Sequence, residues 1–177
     1  DGLEKSKGFG TADRHAPTLV DAAHHRWFNW DGRSDSMWGH TIRPIESPLE
    51  MSGDRTMLAR LFLEDQKLKN RYEAIFGAIP LSISDLPATA RPVGDSGSVE
   101  AWERLTPVDQ DRINRVAANI GKSLAAFQRA LQGGLSRFDR WAAVVAEGGD
   151  GGSILNASEL RGLGLFFGAA ECWECHS

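Results

Sequence analysis

"TPVDQDRINRVAANIGKSLAAFQRAL", residues 106–131, is the strongest structural signal in the chain. Its apolar residues recur every three or four positions and predict one long amphipathic helix. The apolar stripe consists of Ile113, Val116, Ala117, Ile120, Leu124, Phe127 and Leu131. Thr106 is suited to the N-cap, Pro107 to the first helical position, and Asp109 stands three residues after the cap, as in a capping box. This stretch therefore predicts a helical domain.

The rest of the chain indicates the same class. Residues 56–76 repeat the three-to-four spacing and predict a second helix, and Asn156 followed by Glu159 repeats the cap pattern near the carboxyl end. Prolines and glycines in residues 77–105 predict a long loop there. Because no alternating apolar–polar segment of useful length occurs, the predicted fold class is all-α.

The composition is that of an ordinary globular protein. The chain has 177 residues, of which 41% are hydrophobic and 25% are charged. A net charge of −4 argues against a nucleic-acid partner, which usually requires a basic patch. No apolar run approaches the ~20 residues of a membrane span, and no signal peptide is recognisable. Because the chain starts at Asp1 without a methionine, a mature form or a fragment is expected.

The only two cysteines lie in "ECWECHS", residues 171–177. Cys172, Cys175 and His176 form C-x-x-C-H, the attachment signature of haem c. Two cysteines three residues apart on a helical turn can form thioethers to two haem vinyl groups, and the next residue can place an imidazole under the iron. His176 is therefore the predicted metal ligand. Because haem c is attached outside the cytoplasmic membrane, a periplasmic or extracellular protein is expected.

Other chemistries also use a C-x-x-C pair. A structural zinc site needs four ligands, and the sequence has no second cysteine pair. A thioredoxin-like redox pair lies beside a βαβ pattern, which is not visible here. A disulfide, or a histidine that follows the pair by chance, stays open at this point. The spacing favours haem c over these alternatives.

A second group of motifs lies in residues 14–51, "RHAPTLVDAAHHRWFNWDGRSDSMWGHTIRPIESPLEM". Its characteristic residues are Arg14, Pro17, Thr18, Leu19, Trp30, Asp31, Gly32, Arg33, Asp35, Ser36, Pro44, Ile45, Pro48, Glu50 and Met51. In these residues the chain resembles the di-haem cytochrome c peroxidase family, which includes the MauG-like enzymes. Further on, "LAAFQRAL", "RFDRW" and "SELRGLGLFFGAAECWECHS" resemble the segments that lead to the family's second haem. The resemblance covers nearly the whole chain in the right order, and its W-D-G-R…E-M block is specific.

The resemblance implies an enzyme with two haems c, in all-α, cytochrome c-like haem domains that are incomplete in this chain. Residues 1–100 would form the later part of a peroxidatic haem domain, and residues 101–177 the first part of an electron-transfer domain. The first C-x-x-C-H is expected upstream, so the chain is expected to be a fragment. The implied partners are hydrogen peroxide and a small electron-donor protein, either a cytochrome c or a cupredoxin. A homodimer and a periplasmic location are compatible with the resemblance.

The resemblance also assigns roles to single residues. Trp30 falls on a tryptophan that carries electrons between the haems, and Glu50 falls on the acidic residue of the peroxide site. Pro44 falls on a proline that lines the same pocket. The family's helping glutamine is His40 here, which could act as a second acid/base group or could ligate the first haem. The family's calcium-binding asparagine falls on His15, so calcium is not carried over.

The chemistry of these side chains agrees with the implied reaction. Heterolytic cleavage of an O–O bond needs a proton moved from the inner oxygen to the leaving one, which a carboxylate such as Glu50 can do. An imidazole can also do it, because its unperturbed pKa is ~6.5. Without the surrounding motif, Trp30 would be read as a core residue, and Glu50 as an exposed carboxylate or as one paired with Arg43 or Arg55.

We therefore expect a peroxidase that reduces hydrogen peroxide to water with electrons from a small redox protein. Two alternatives stay open. One is a MauG-like oxidase that draws electrons from a protein substrate. The other is an electron-transfer cytochrome c without catalysis, which His40 as an iron ligand would favour. A zinc or disulfide module is the weakest reading.

Overall fold

A computed structural model of the protein describes residues 5–176. This part of the chain contains seven α-helices and no named β-strand, so the predicted all-α class is confirmed. The helices are α1 (Met37–Glu46), α2 (Arg55–Glu64), α3 (Gln66–Phe76), α4 (Ser96–Glu103), α5 (Pro107–Arg129), α6 (Arg137–Ala146) and α7 (Ala157–Phe167). Short 3-10 turns occur at Ala22–His24, Ile83–Asp85 and Cys172–Glu174. None of the described helices is long and apolar enough to cross a membrane.

Helix α5 begins as its sequence predicts. The Thr106 side chain accepts a hydrogen bond from the backbone N–H of Asp109, and Pro107 opens the helix. The Asp109 carboxylate accepts from the Thr106 hydroxyl at 2.7 Å, so the two side chains hold each other at the first turn. This arrangement supplies one partner for the unpaired N–H groups at the helix start.

The buried face of α5 differs from the predicted stripe in its second half. Leu124 and Phe127 are exposed, whereas Gly121 and Ala125 are buried. The reason is the close approach of α1: a Cβ at position 121 would lie only 2.7 Å from the carbonyl oxygen of Trp38. Small residues thus let the two backbones meet, and the larger apolar side chains point elsewhere.

The core of the first helices is built around α5. Helices α1 and α2 pack on it, and α3 packs on α2. The buried cluster comprises Ile42, Ile45, Leu58, Ala59, Tyr72, Ile79, Leu86, Ala90, Trp102, Ile113, Val116 and Ile120. Burial of these side chains is the main stabilising contribution, at roughly 25 cal/mol per Å² of apolar surface. It fixes α1, on which part of the candidate site lies.

The predicted helix 56–76 is two helices, so that prediction was wrong in detail. The chain breaks at Asp65, whose side chain accepts hydrogen bonds from the N–H groups of Lys67 and Leu68. Asp65 is therefore the N-cap of α3 as well as the residue that ends α2. A side chain that bonds to its own neighbouring backbone competes with a continuous helix, and here this competition wins over the continuous apolar spacing.

The loop predicted for residues 77–105 holds regular structure as well. It contains α4, which begins after Asp95, and this residue accepts a hydrogen bond from the N–H of Ser98 at 2.9 Å. Helix α4 has only eight residues and includes Gly97. Such a short, glycine-containing segment has too little apolar spacing to be recognised from sequence.

The chain separates into two compact units after Gln132. The first contains α1–α5, and the second contains α6, α7 and the turn Cys172–Glu174. The predicted cap at Asn156 is confirmed, because Asn156 and Glu159 form a complete capping box. The division of the haem domains at residues 100 and 101 concerns the whole protein and stays a prediction.

Candidate functional site

Helix α1 and the loop after it carry the first group of candidate residues. Pro44 lies inside α1, four residues after His40. A proline has no N–H, so it removes the hydrogen bond that the carbonyl of His40 would otherwise accept within the helix. The loop then folds back, because the N–H of Met51 donates to the carbonyl of Pro44 at 3.1 Å and that of Gly53 to the carbonyl of Ile45 at 2.7 Å. Residue 50 is thereby returned to the end of α1.

His40 is buried, with only 9% of its surface exposed. Its ring stacks on Phe28 at a centroid distance of 5.5 Å and an interplanar angle of 20°. Its Nδ1 has no hydrogen-bond partner among the described residues. Burial lowers the pKa of His40, Arg33 and Arg43 lower it further, and the charge of Glu50 opposes them. The lowered pKa favours the neutral imidazole, and one ring nitrogen of His40 is buried without a hydrogen-bond partner among the described residues.

Glu50 is half-buried and makes no ion pair among the described residues. The pairing with Arg55 that the sequence left open is not formed, because Arg55 binds Glu46 at 2.7 Å. The charge of Glu50 raises the pKa of His40, so the two side chains lie near each other. The structure thus brings together the carboxylate and the imidazole that the resemblance assigns to peroxide chemistry, while their roles stay predictions.

Trp30 is an exposed residue, with 57% of its surface accessible, so the reading as a core tryptophan was wrong. Its indole N–H donates to the backbone carbonyl of His15 at 2.9 Å. The His15 ring also meets the indole edge-on, at a centroid distance of 4.9 Å. These two contacts fix the orientation of an indole that packing alone would leave free. Trp30 and His15 line a shallow pocket together with Lys5, Asp13 and Arg14.

The W-D-G-R turn is held by its own charges. The Asp31 carboxylate lies 3.2 Å from Arg14 and 3.6 Å from Arg33, and both pairs are exposed. Although desolvation opposes the change, hydrogen bonds from the Arg33 backbone and the Arg14 side chain lower the pKa of Asp31. Gly32 has a φ of +66°, which a residue with a side chain rarely adopts. Asp31 and Arg33 therefore have the structural role that this turn requires.

The C-x-x-C-H motif lies on a single turn in the second unit. The backbone N–H groups of Cys175 and His176 both donate to the carbonyl of Cys172, at 3.3 and 3.1 Å. Both thiols are free, so the disulfide alternative is not formed. In residues 5–176 no three His, Cys, Asp or Glu side chains cluster as metal ligands would. Two free thiols and an adjacent imidazole are the donor set of haem c, so these residues fit that group.

The surroundings of the motif also fit an apolar cofactor. No residue of α6 or α7 is buried. Leu165, Phe167 and Trp173 expose 58%, 57% and 41% of their surface. A small unit with this much uncovered apolar surface has a core that is not complete by itself. A haem face is a group that could cover such surface.

Two features of the first unit were missed by sequence reasoning. Phe28, which stacks on His40, carries no spacing that distinguishes it from its aromatic neighbours. The N–H groups of Phe9 and Gly10 donate hydrogen bonds to the backbone of Glu50 and Leu49. The sequence shows there only glycines that break regular structure.

Comparison with known proteins agrees with these features. The sequence profile described as di-haem cytochrome c peroxidase matches residues 1–146. The methylamine utilization protein MauG of Methylorubrum extorquens is 32% identical over 100% of this chain and 40% of its own length. The protein of the same name from Methylophilus methylotrophus is 28% identical over 93% of this chain and 38% of its own length. The cytochrome-c peroxidase IdrP1 of Denitromonas iodatirespirans is 25% identical over 100% of this chain and 38% of its own length.

The chain thus spans about two-fifths of the length of the curated relatives that it matches. No solved structure matches it.

Proposed function

The chain belongs to the di-haem cytochrome c peroxidase family, and from this premise we propose that the whole protein reduces hydrogen peroxide to water with electrons from a small redox protein. The reaction is H₂O₂ + 2 H⁺ + 2 e⁻ → 2 H₂O. It needs groups that move protons at the peroxide and a path that delivers two electrons. The observation that carries the proposal is that the buried His40 of α1 lies within reach of the charge of Glu50, whose backbone is hydrogen-bonded to the end of α1.

The proton-moving groups are Glu50 and His40. The Glu50 carboxylate takes a proton from the inner oxygen of peroxide and gives it to the leaving oxygen. The neutral His40 can take up a second proton at its unpaired Nδ1. Burial of His40 against Phe28 keeps water away from this nitrogen, and Pro44 lies one turn further along α1. As an alternative role, His40 could ligate iron, which would block peroxide.

The electron path involves Trp30 and the carboxyl-terminal motif. Cys172 and Cys175 would hold a haem c by thioether bonds, and His176 would be its proximal ligand. When bound, haem c supplies a reversible one-electron store at its iron. The exposed Trp30 is an oxidisable indole held in a fixed orientation by His15. This agrees with the role of an electron relay.

The partners are proposed on the same basis. The electron donor is a small cytochrome c or cupredoxin, the compartment is the periplasm, and a second haem c is attached outside residues 1–177. The negative net charge agrees with a donor that presents a basic face. A homodimer is proposed as the assembly. Calcium is not proposed, because His15 stands at the position of the family's calcium ligand.

A MauG-like oxidase of a protein substrate is the second candidate. It is favoured by one observation, the 32% identity to a protein named MauG, against 25% to a protein named as a peroxidase. Both candidates use the same proton chemistry at Glu50 and His40. They differ in the electron source, which is a soluble donor in the first and a protein substrate in the second.

The test is peroxide turnover by the full-length holoprotein with reduced cytochrome c as donor. We expect Glu50→Gln to lower the rate by about 100-fold or more, because general acid–base groups contribute at least that much. Glu64→Gln is the matched control, since Glu64 is an exposed carboxylate at the end of α2. It should change the rate less than about twofold. A wild-type holoprotein with two haems that does not react with peroxide would overturn the proposal and favour the electron carrier.

A further inference from the structure

The backbone of Glu50 is held by a segment from the amino-terminal end of the chain. We call residues 8–10 the glycine strap. The N–H of Phe9 donates to the carbonyl of Glu50 at 3.0 Å, and the N–H of Gly10 donates to the carbonyl of Leu49 at 2.9 Å. Two consecutive peptide groups of the strap therefore bind the two consecutive residues that end in Glu50. These hydrogen bonds join backbone groups that are about forty residues apart in the chain.

Gly8 makes this approach possible. A Cβ at position 8 would overlap the carbonyl oxygen of Glu50 and would lie 2.8 Å from its Cα. These atoms belong to the backbone and cannot rotate away as a side chain would. Any residue other than glycine at position 8 must therefore push the strap and Glu50 apart.

The strap is itself anchored, so that it can resist displacement. The N–H of Gly8 donates to the carbonyl of Gly10 at 2.8 Å, and Lys7 and Thr11 form an isolated antiparallel bridge. The next pair of residues outward from this bridge is also bonded, because the N–H of Ala12 donates to the carbonyl of Ser6 at 2.9 Å. The loop is thus closed on itself before it reaches Glu50.

The other backbone hydrogen bonds around Glu50 go to the end of α1 and the residues just after it. Its N–H donates to the carbonyl of Ser47, and the N–H of Met51 donates to that of Pro44, both at 3.1 Å. Both acceptors lie at the end of α1 or just after it. The strap adds hydrogen bonds from a different segment of the chain, so residue 50 is held both at the end of α1 and by the strap.

We propose that the glycine strap positions the Glu50 carboxylate for proton transfer, with Gly8 and the Phe9 N–H as its positioning groups. This inference rests on the proposed role of Glu50. A carboxylate that moves by about 1 Å from its reacting partner can lose about 100-fold in rate. The strap therefore acts on the rate of the peroxide step and does so through Glu50.

The first test is a double-mutant cycle in the full-length holoprotein. Gly8→Ala should lower the rate of reaction with peroxide by about 10- to 100-fold. In the Glu50→Gln background, Gly8→Ala should cause no further loss of rate, because the carboxylate that the strap positions is absent. Gly134→Ala is the matched control, since a Cβ there meets nothing within 4 Å. Haem content and melting temperature are measured on every variant.

The second test removes the hydrogen bond without adding a Cβ at position 8. Phe9→Pro removes the N–H that donates a hydrogen bond to the carbonyl of Glu50. Phe9→Ala keeps that N–H and removes only a side chain that is 81% exposed. We expect a rate loss in Phe9→Pro and not in Phe9→Ala. Hydrogen exchange of peptides that cover residues 5–14 and 47–53 should be faster in Phe9→Pro alone.

The outcomes separate this inference from the proposed function. If Glu50→Gln is slow but Gly8→Ala and Phe9→Pro react normally, the strap has no positioning role and the inference is wrong. If the strap variants lose the same factor in the Glu50→Gln background, they act elsewhere and the inference is also wrong. If Glu50→Gln itself reacts normally, the proposed role of Glu50 fails, and the inference falls with it.

Discussion

Replacement of Asp54 by alanine should loosen the carboxyl end of the loop that carries Glu50. Asp54 is buried and is the N-cap of α2, where it accepts the N–H of Met57 at 2.8 Å. It also accepts the hydroxyls of Thr56 at 2.5 Å and Thr89 at 2.8 Å. One side chain therefore ties the loop to the start of α2 and to the segment before α4.

The expected cost follows from these three bonds. Loss of an N-cap costs about 1 kcal/mol. The hydroxyl of Thr56 is fully buried and would lose its acceptor, which costs about 2 kcal/mol. Loss of the bond to Thr89 adds little to the cost, because Thr89 is exposed and its hydroxyl still has a hydrogen-bond partner in the Ser98 hydroxyl at 3.2 Å. The sum is about 3 kcal/mol for Asp54→Ala.

Asp65→Ala is the matched control. Asp65 is an exposed N-cap that accepts only backbone N–H groups, so its replacement should cost about 1 kcal/mol. Hydrogen exchange of the full-length holoprotein, followed on peptides of α2 and α3, measures both changes. We expect exchange to rise about 100-fold in α2 for Asp54→Ala and about fivefold in α3 for Asp65→Ala. Equal increases would refute the role of the buried Thr56 hydroxyl.

Three further predictions concern the candidate site. Burial lowers the pKa of His40 in the folded protein, so as the pH falls below ~6.5 the histidine takes up a proton first in the unfolded chain. The corresponding contribution to folding stability is fully present above this pH and is lost as the pH falls through the pKa of His40 in the folded protein. His40→Gln should therefore show a smaller drop in melting temperature between about pH 8 and about pH 5 than wild type, and equal drops would contradict the burial argument. Trp30→Phe should slow donor-dependent turnover, whereas Trp27→Phe, at the same 57% exposure, should not; equal rates in both variants would count against the relay. Cys175→Ser should alter the haem spectrum of the full-length protein in a pyridine haemochrome assay, and an unchanged spectrum would show that this motif holds no haem.

The fold was predictable where the signals are local. The start of α5 and the cap at Asn156 follow from side chains three residues apart, and both are present. The break at Asp65 was missed because a cap and a continuous apolar period compete there, and sequence does not say which wins. The exposure of Leu124 and Phe127 was missed because it depends on the approach of α1 to Gly121.

The site was predictable only in part. The assignment of Glu50 and His40 to one site came from the family resemblance, since no spacing rule joins a residue on a helix to a residue on the loop after it. The glycine strap could not be foreseen, because backbone–backbone contacts across a long stretch of chain leave no pattern of side chains. The exposure of Trp30 also depends on tertiary structure, and a tryptophan considered without its surrounding motif is expected in a core.

The central claim is tested most directly by the stoichiometry of the reaction in the full-length holoprotein. The measurement is the amount of reduced donor protein that is oxidised for each hydrogen peroxide consumed. We expect two one-electron donors to be oxidised for each peroxide, and we expect Glu50→Gln to slow the reaction without changing this ratio. Peroxide consumption without oxidation of the donor, or no consumption by the wild type, would contradict it.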